Sequence, residues 1–258
     1  MSAARMCCLL LLACASFAAQ AKMVHRPVQW SQDGTRFHSV LVYDDAVDTK
    51  RPGLLMVPNW YGVNDAAVKK AEVIAGRDYV ILLTDMYGET VRPASTAEAQ
   101  AAVTPLYGNR ALMRQRVNLA LAQLKAQAAD APLDPARLAA IGFCFGGSAV
   151  LDLARSGADI DAVVSFHGGL DTDDPSLAAH IKARVLAING GDDEGTMPDA
   201  GKFMDEMRAS PVDWQFVVLG HAVHCFTEVG EDSPGCRYDA KAAARSYALM
   251  RDWLQGEK

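Results

Sequence analysis

The sequence is poor in the features that mark nucleic-acid binders, metalloproteins and dinucleotide enzymes. Its 258 residues contain no basic run with interleaved aromatics, and 31 acidic residues outnumber 25 basic ones for a formal charge of −6. That balance argues against binding to a phosphate backbone. No two histidines or cysteines lie at zinc-ligand helix spacing with a second pair elsewhere, and no GxGxxG follows the first strand. There is no internal repeat. No metal, cofactor or nucleic-acid partner is therefore expected. Cysteine is also scarce, and of the six residues three, Cys7, Cys8 and Cys14, fall in the first 21 positions.

Those first 21 residues are unlike the rest. Arg5 precedes the apolar run "MCCLLLLACASFAAQA", and Ala19-Gln20-Ala21 has the small-x-small pattern of a signal-peptidase site. The run is short for a membrane span, and no long apolar segment follows. Residues 1–21 read as a signal peptide and residues 22–258 as one soluble exported domain, periplasmic or secreted. A rival reading takes "LLAC", ending at Cys14, as a lipoprotein site with lipid anchoring. Without Arg5 the 25 basic residues become 24 against 31 acidic, a formal −7. The mature chain keeps Cys144, Cys225 and Cys236, an odd number in an oxidising compartment. Cys225 and Cys236 are close enough in sequence to close a short loop, and three reduced cysteines are the alternative.

With 50% hydrophobic and 22% charged residues the composition is ordinarily globular. Apolar, β-branched runs alternate with amphipathic stretches of helical length, which predicts an α/β fold with a mainly parallel sheet flanked by helices on both faces. Strands are expected at 36–43, 53–58, 79–84, 138–143, 161–168, 183–190 and 214–220. Helices are expected at 64–77, within 89–108, and at 109–129, 146–154, 197–208 and 239–254.

"IGFCFGGSAV", residues 141–150, carries the chemistry. Cys144 lies between a strand and a helix in a GxCxG pattern, the nucleophile elbow with sulfur in place of oxygen. The elbow is a strained turn, so the residues two before and two after the nucleophile approach too closely to carry a Cβ. Gly142, Gly146 and Gly147 meet that demand. The sulfur then faces a helix N-terminus, which favours thiolate. The other readings of Cys144 are a buried small hydrophobe and a redox thiol exchanging with Cys225. A thiol nucleophile needs a base and the base an orienting acid, in the chain order nucleophile, acid, histidine. Only His221 and His224 follow a loop carboxylate downstream of Cys144, in "AINGGDDEG" with Asp192, Asp193 and Glu194.

"GFCFGG", "INGGDD", "HAVHCFT" and "VPNWYGVND" together resemble the dienelactone hydrolase family (carboxymethylenebutenolidases), cysteine-nucleophile members of the α/β-hydrolase fold. The resemblance runs from about residue 37 to the C-terminal helix. It implies Asp193 as the acid, His224 as the base with His221 as second choice, and an oxyanion hole of the Trp60 and Phe145 backbone amides. Where the family has a glutamate before the second oxyanion residue this chain has Asn59, which can hydrogen-bond the thiol but cannot accept its proton. The two carboxylate-gripping arginines fall on Glu89 and Glu228. Like charge there would repel an anionic substrate, unless Arg92 or Arg114 compensates.

The resemblance also casts His167 as a structural support for the site. Tyr87 is a pocket or rim candidate, and Ser148 should point away from the site. The expected activity is hydrolysis of a small-molecule carboxylic ester or lactone less anionic than dienelactone. The rivals are a binding protein that has lost turnover, motivated by Asn59, and the Cys144/Cys225 redox protein.

Overall fold

The computed structural model describes residues 22–256; the expected leader and Cys14 lie outside the described residues. Eight strands form one sheet: β1 (Met23–Gln32), β2 (Thr35–Asp44), β3 (Arg51–Val57), β4 (Val80–Leu83), β5 (Leu133–Phe143), β6 (Ala162–Phe166), β7 (Arg184–Gly190) and β8 (Trp214–Leu219), in the spatial order β1-β2-β4-β3-β5-β6-β7-β8. β1 and β2 pair antiparallel, as do β2 and β4, and every other neighbour is parallel.

All seven expected strands are present, and β1 is an eighth that the apolar pattern does not suggest. Its residues alternate between exposed and buried with His25, Arg26, Gln29 and Ser31 interspersed, so it has no apolar run. The readable signal is Asp33-Gly34, whose φ values of 47° and 78° make the two-residue hairpin turn into β2. β5 also begins five residues earlier than its apolar part, because Leu133 and Asp134 already pair with Arg51 and Pro52 ahead of a register shift.

The buried strands are apolar on both faces, and successive residues serve opposite layers. In β3, Leu55 and Val57 enter one core while Leu54 and Met56 enter the other; in β4, Val80 and Leu82 alternate with Ile81 and Leu83 in the same way. The first layer packs against α2 (Thr96–Tyr107), α3 (Arg110–Ala126), α4 (Phe145–Arg155) and α5 (Ala200–Arg208). The second packs against α1 (Asp65–Ala75) and α6 (Ala240–Gln255). Asn64 caps α1 by accepting from the Ala67 amide, as a helix start with this sequence requires.

From β3 the chain moves outward to β4 and then returns past β3 to β5 on its other side, so the sheet's direction of growth reverses there. In open parallel sheets a crevice forms beyond the carboxyl ends of the strands at such a point. The loop holding Trp60 leaves β3 there, and Cys144 leaves β5 beside it. Among the described residues no helix is long and apolar enough to cross a membrane.

Candidate active site

Cys144 is the single residue between β5 and α4, with φ 54° and ψ −118°. Few L-residues hold such a backbone, and the packing around it explains why glycines flank it. A Cβ on Gly142 would stand 2.0 Å from the Gly146 carbonyl oxygen, and one on Gly146 would stand 2.1 Å from that of Val57. Gly147 relieves a different contact from the one expected, since a Cβ there would stand 2.6 Å from Ser165 Oγ and 2.7 Å from Gly168 Cα, on and just beyond β6. The Cys144 amide donates to the Phe166 carbonyl at 3.0 Å, tying the turn to the neighbouring strand.

The loop after β7 and the loop after β8 converge on this sulfur. His224 Nδ1 donates to Asp193 Oδ2 at 2.8 Å, and the ring also hydrogen-bonds Cys144. Asp193 is buried and further fixed by the Thr196 hydroxyl at 2.7 Å and the Gly195 amide at 3.0 Å. Burial alone would lift its carboxyl, but His224 and these donors hold it below the usual carboxylate range. Burial likewise opposes charge on His224, yet the bonds to Asp193 and Cys144 prevail and the imidazole is pushed up to about 10.

Asp192 and His221 stay outside this cluster. The side chain of His221 is 99% exposed, and its carboxylate neighbour is Asp192 at 3.8 Å. The second candidate for the base therefore has no contact with the sulfur.

Two cavities, of about 780 and 350 Å³, meet at Cys144 and His224. The larger is walled by Tyr107, Thr196 and Pro234 with Asp171, Asp192 and Glu194. The smaller is walled by Asn59, Trp60, Tyr61, Thr96 and Glu228. Tyr107 escapes a reading of the sequence: it reaches the site from the end of α2, ring edge against Phe145 at 5.7 Å and hydroxyl 3.3 Å from Ser148 Oγ. Ser148 itself is fully buried. Nothing in "LYGN" distinguishes that tyrosine from one in a core.

Phe145 is the first residue of α4, and its amide has no carbonyl one turn earlier to receive it. The Trp60 amide meets no acceptor among the described residues. Tyr87 does not line either cavity; it lies behind the Trp60 loop, donating its hydroxyl to the Trp60 carbonyl at 3.0 Å and packing on Phe145. His167, wholly buried, stands edge-on to the His224 ring at 5.0 Å, with Nε2 2.7 Å from Thr227 Oγ1. Burial, then the neighbouring charges of His224 and Lys70, keep it well below the usual histidine range.

Several expectations need correction. Asn59 is not free to bond the thiol: Nδ2 donates to Glu228 Oε2 at 2.7 Å and Oδ1 accepts the Tyr61 amide at 3.0 Å. Glu228 does face the smaller cavity, but it is not a bare acid, since Lys70 on α1 donates to its Oε1. Glu89 lies outside both cavities, paired with Arg36 at 2.5 Å. Arg92 is committed to Asp85 at 3.0 Å and Arg114 to Asp173 at 2.8 Å, so neither lines the site. Cys225 is bonded to Cys236, not to Cys144. A short hairpin of β9 (Asp232–Ser233) and β10 (Cys236–Arg237) turns back and bridges Cys236 to His224, which brings the two cysteines together. Cys144 is the free thiol among the described residues.

A third cavity of about 750 Å³ opens at the amino ends of the strands, between Arg51, Arg77 and Arg137. No cysteine, serine, threonine or histidine among the described residues lines it.

Comparison with known proteins gives the family and the fold. The model of the dienelactone hydrolase family matches residues 37–257. Among solved structures, a dienelactone hydrolase-like promiscuous phosphotriesterase, P91, from metagenomic libraries superposes with a TM-score of 0.83 at 37% identity, covering 90% of this chain and 97% of its own. A second, m3DLH, gives 0.83 at 36% identity with the same coverage. An uncharacterized protein from Caenorhabditis elegans is 33% identical over 149 residues, 55% of this chain and 92% of its own. An α/β hydrolase from a deep-sea metagenome, MGS-M1, at 17% identity and TM-score 0.63, shares the fold.

Proposed function

We propose that this chain, which belongs to the dienelactone hydrolase family, cleaves a carboxylic ester or lactone through a thioacyl-enzyme formed on Cys144. The observation that carries this reading is the hydrogen-bonded line from Asp193 through His224 to Cys144 at a strained strand-to-helix turn. A cationic imidazole beside a thiol favours the thiolate, and His224 is held in the protonated form to a high pH.

In the first half-reaction the thiolate attacks the substrate carbonyl carbon, forming a C–S bond while the carbonyl π pair moves to oxygen. The amides of Trp60 and Phe145 receive that oxyanion. As the pair returns, the C–O bond to the leaving group breaks, and His224 gives its proton to the departing alkoxide or enolate. In the second half-reaction His224, now neutral, takes a proton from water as the oxygen attacks the thioester. Collapse expels the thiolate and releases the acid, with His224 protonated as at the start. Asp193 stays ionised throughout and holds the ring with Nε2 toward sulfur. Because a thiolate is itself a good leaving group, activated esters and enol lactones suit this site better than amides.

The charge of the walls supports a substrate less anionic than dienelactone. Asp171, Asp192 and Glu194 line the larger cavity, and no lysine or arginine lines either. P91 is named for phosphotriesters, neutral compounds with an electrophilic centre open to the same sulfur and the same two amides, so an activated phosphotriester is a second substrate to assay. Export through residues 1–21 belongs to the same proposal; the Cys225–Cys236 bond supports it, because such bonds persist in oxidising compartments.

The test is hydrolysis of an activated aryl acetate by the purified chain and by Cys144→Ala. Turnover in the first and none in the second is expected. Turnover that survives the substitution sinks the mechanism, and no turnover on any ester favours a binding protein instead. N-terminal sequencing of the mature protein tests the leader.

A further inference from the structure

Lys70 has no step in that chemistry, yet it is built into the site. It sits mid-way along α1, but its side chain is only 14% exposed. Its ammonium bonds Glu228 Oε1 and lies 4.2 Å from the ring centroid of Phe143, the residue before Cys144. Glu228 also accepts from Asn59 Nδ2 at 2.7 Å and from the Thr227 hydroxyl at 3.1 Å. Since Asn59 Oδ1 holds the Tyr61 amide, this one side chain brackets Trp60 and ties its loop to the carboxylate. The linkage joins the loop after β3 to the loop that carries His224.

A carboxylate in the same cavity as a reacting sulfur opposes its thiolate by like charge. A buried ion pair is also a poor source of stability compared with an apolar pair of the same volume. The chain nevertheless keeps both charges here, with the positive member behind the negative one and under the nucleophile's strand. We propose that Lys70 is a positioning residue: it neutralises Glu228, so that the carboxylate can anchor Asn59 and the Trp60 loop without leaving a net negative charge beside Cys144. This rests on Cys144 being the nucleophile.

The other groups that face this cluster do not duplicate the effect. His167, 3.7 Å from Glu228 Oε1, is kept neutral by burial. Burial also pushes up Tyr247 from α6, and Tyr87 and Tyr107 near the sulfur, so all three stay protonated. His224 and Asp193 are bound to each other, and Glu231 on the cavity wall is common to every variant below.

The experiment is the rate of iodoacetamide alkylation of the Cys144 peptide against pH, read by mass spectrometry, which reports thiolate without needing substrate. Lys70→Met is expected to raise the midpoint by about one pH unit, which slows alkylation roughly tenfold on its acid side, where thiolate is the minor form. Glu228→Gln is expected to move the midpoint to lower pH, and the double variant to return close to the wild-type profile.

Loss of packing alone would slow alkylation equally at all pH values. A Lys70→Met profile that coincides with wild type, or two single variants that move the midpoint in the same direction, overturns the proposal. Should Lys70→Met fail to fold, the Glu228→Gln profile decides, and an unmoved midpoint there overturns the proposal too. If the midpoints move as expected but the wild type hydrolyses no ester, the proposed function falls and the role of Lys70 in tuning the thiol stands.

Discussion

Asp193 and His224 are 31 residues apart in the chain, and their side chains meet at 2.8 Å, Oδ2 accepting from Nδ1. Asp192, next in the chain, is on the surface and 3.8 Å from His221. Substitution should separate the two pairs. Asp193→Asn is expected to lower kcat on an activated ester by roughly 10³ to 10⁴ with KM little changed, because the amide favours the wrong ring tautomer. Asp192→Asn and His221→Ala should keep near wild-type rates. Steady-state kinetics of the three variants checks this, and a loss with His221→Ala but not His224→Ala would overturn the assignment of the base.

The same pair gives stability a pH dependence. The folded protein holds the His224 proton up to about pH 10, whereas an unfolded histidine releases it near 6.5. A raised folded value means the contribution is fully present below the unfolded value and is lost as pH rises through about 10. Urea unfolding of wild type and His224→Gln at several pH values should show the gap between them narrowing from neutral to strongly alkaline pH. A gap that widens there would contradict the charged His224.

Glycine at the elbow is a matter of space. Gly146→Ala would press a Cβ into the Val57 carbonyl, a backbone atom that cannot swing aside, and it should cost about 3 kcal/mol or more. Gly201→Ala, in α5 with nothing within 4 Å, should instead gain about 0.5–1 kcal/mol from helix propensity. Denaturant midpoints of the two variants should move in opposite directions.

Removing the Cys225–Cys236 bond frees a loop whose ends are 11 residues apart. Replacing both cysteines by alanine should cost about 3 kcal/mol from the loop-closure entropy regained by the unfolded chain. Cys225, Ser233 and Cys236 line the smaller cavity, so KM should rise as well. Thermal unfolding and ester kinetics on the double variant measure the two effects, and an unchanged KM would mean that the hairpin is not part of the substrate's seat.

Substrate charge should matter on the acidic side. Among aryl esters matched in reactivity, neutral and cationic acyl groups are expected to show kcat/KM several-fold above anionic ones at low ionic strength, with the difference shrinking as salt is added. Equal rates across the series would remove Asp171, Asp192 and Glu194 from any part in selection.

Most of the sheet is legible in the sequence because its strands are buried on both faces and so read as continuous apolar runs. β1 is not, since its burial alternates and polar residues break the run; only Asp33-Gly34 announces it. The elbow is legible for a steric reason, as few sequences other than glycine-rich ones can bring strand and helix that close. The order of cysteine, loop carboxylate and histidine is legible for a local reason, each lying just past an apolar strand, but Asp193 over Asp192 and His224 over His221 come from the family resemblance.

Charge compensation is not. Glu228 reads as a bare acid in "TEVG", and nothing in "VKKAE" marks Lys70 as its partner. They are 158 residues apart, and no local pattern encodes which of the chain's lysines the fold turns inward. Likewise Asn59 reads as a thiol's partner until its two amide atoms are found engaged by Glu228 and Tyr61, and Glu89 reads as a pocket acid until Arg36 claims it. Local sterics and burial leave their mark on neighbouring residues, so the sequence by itself determined the fold class, the strained turn and the three groups beyond the strand ends. Electrostatic pairing depends on distance in space and on exclusion of water, and only the tertiary structure decided which charges near Cys144 are cancelled and which still face the substrate.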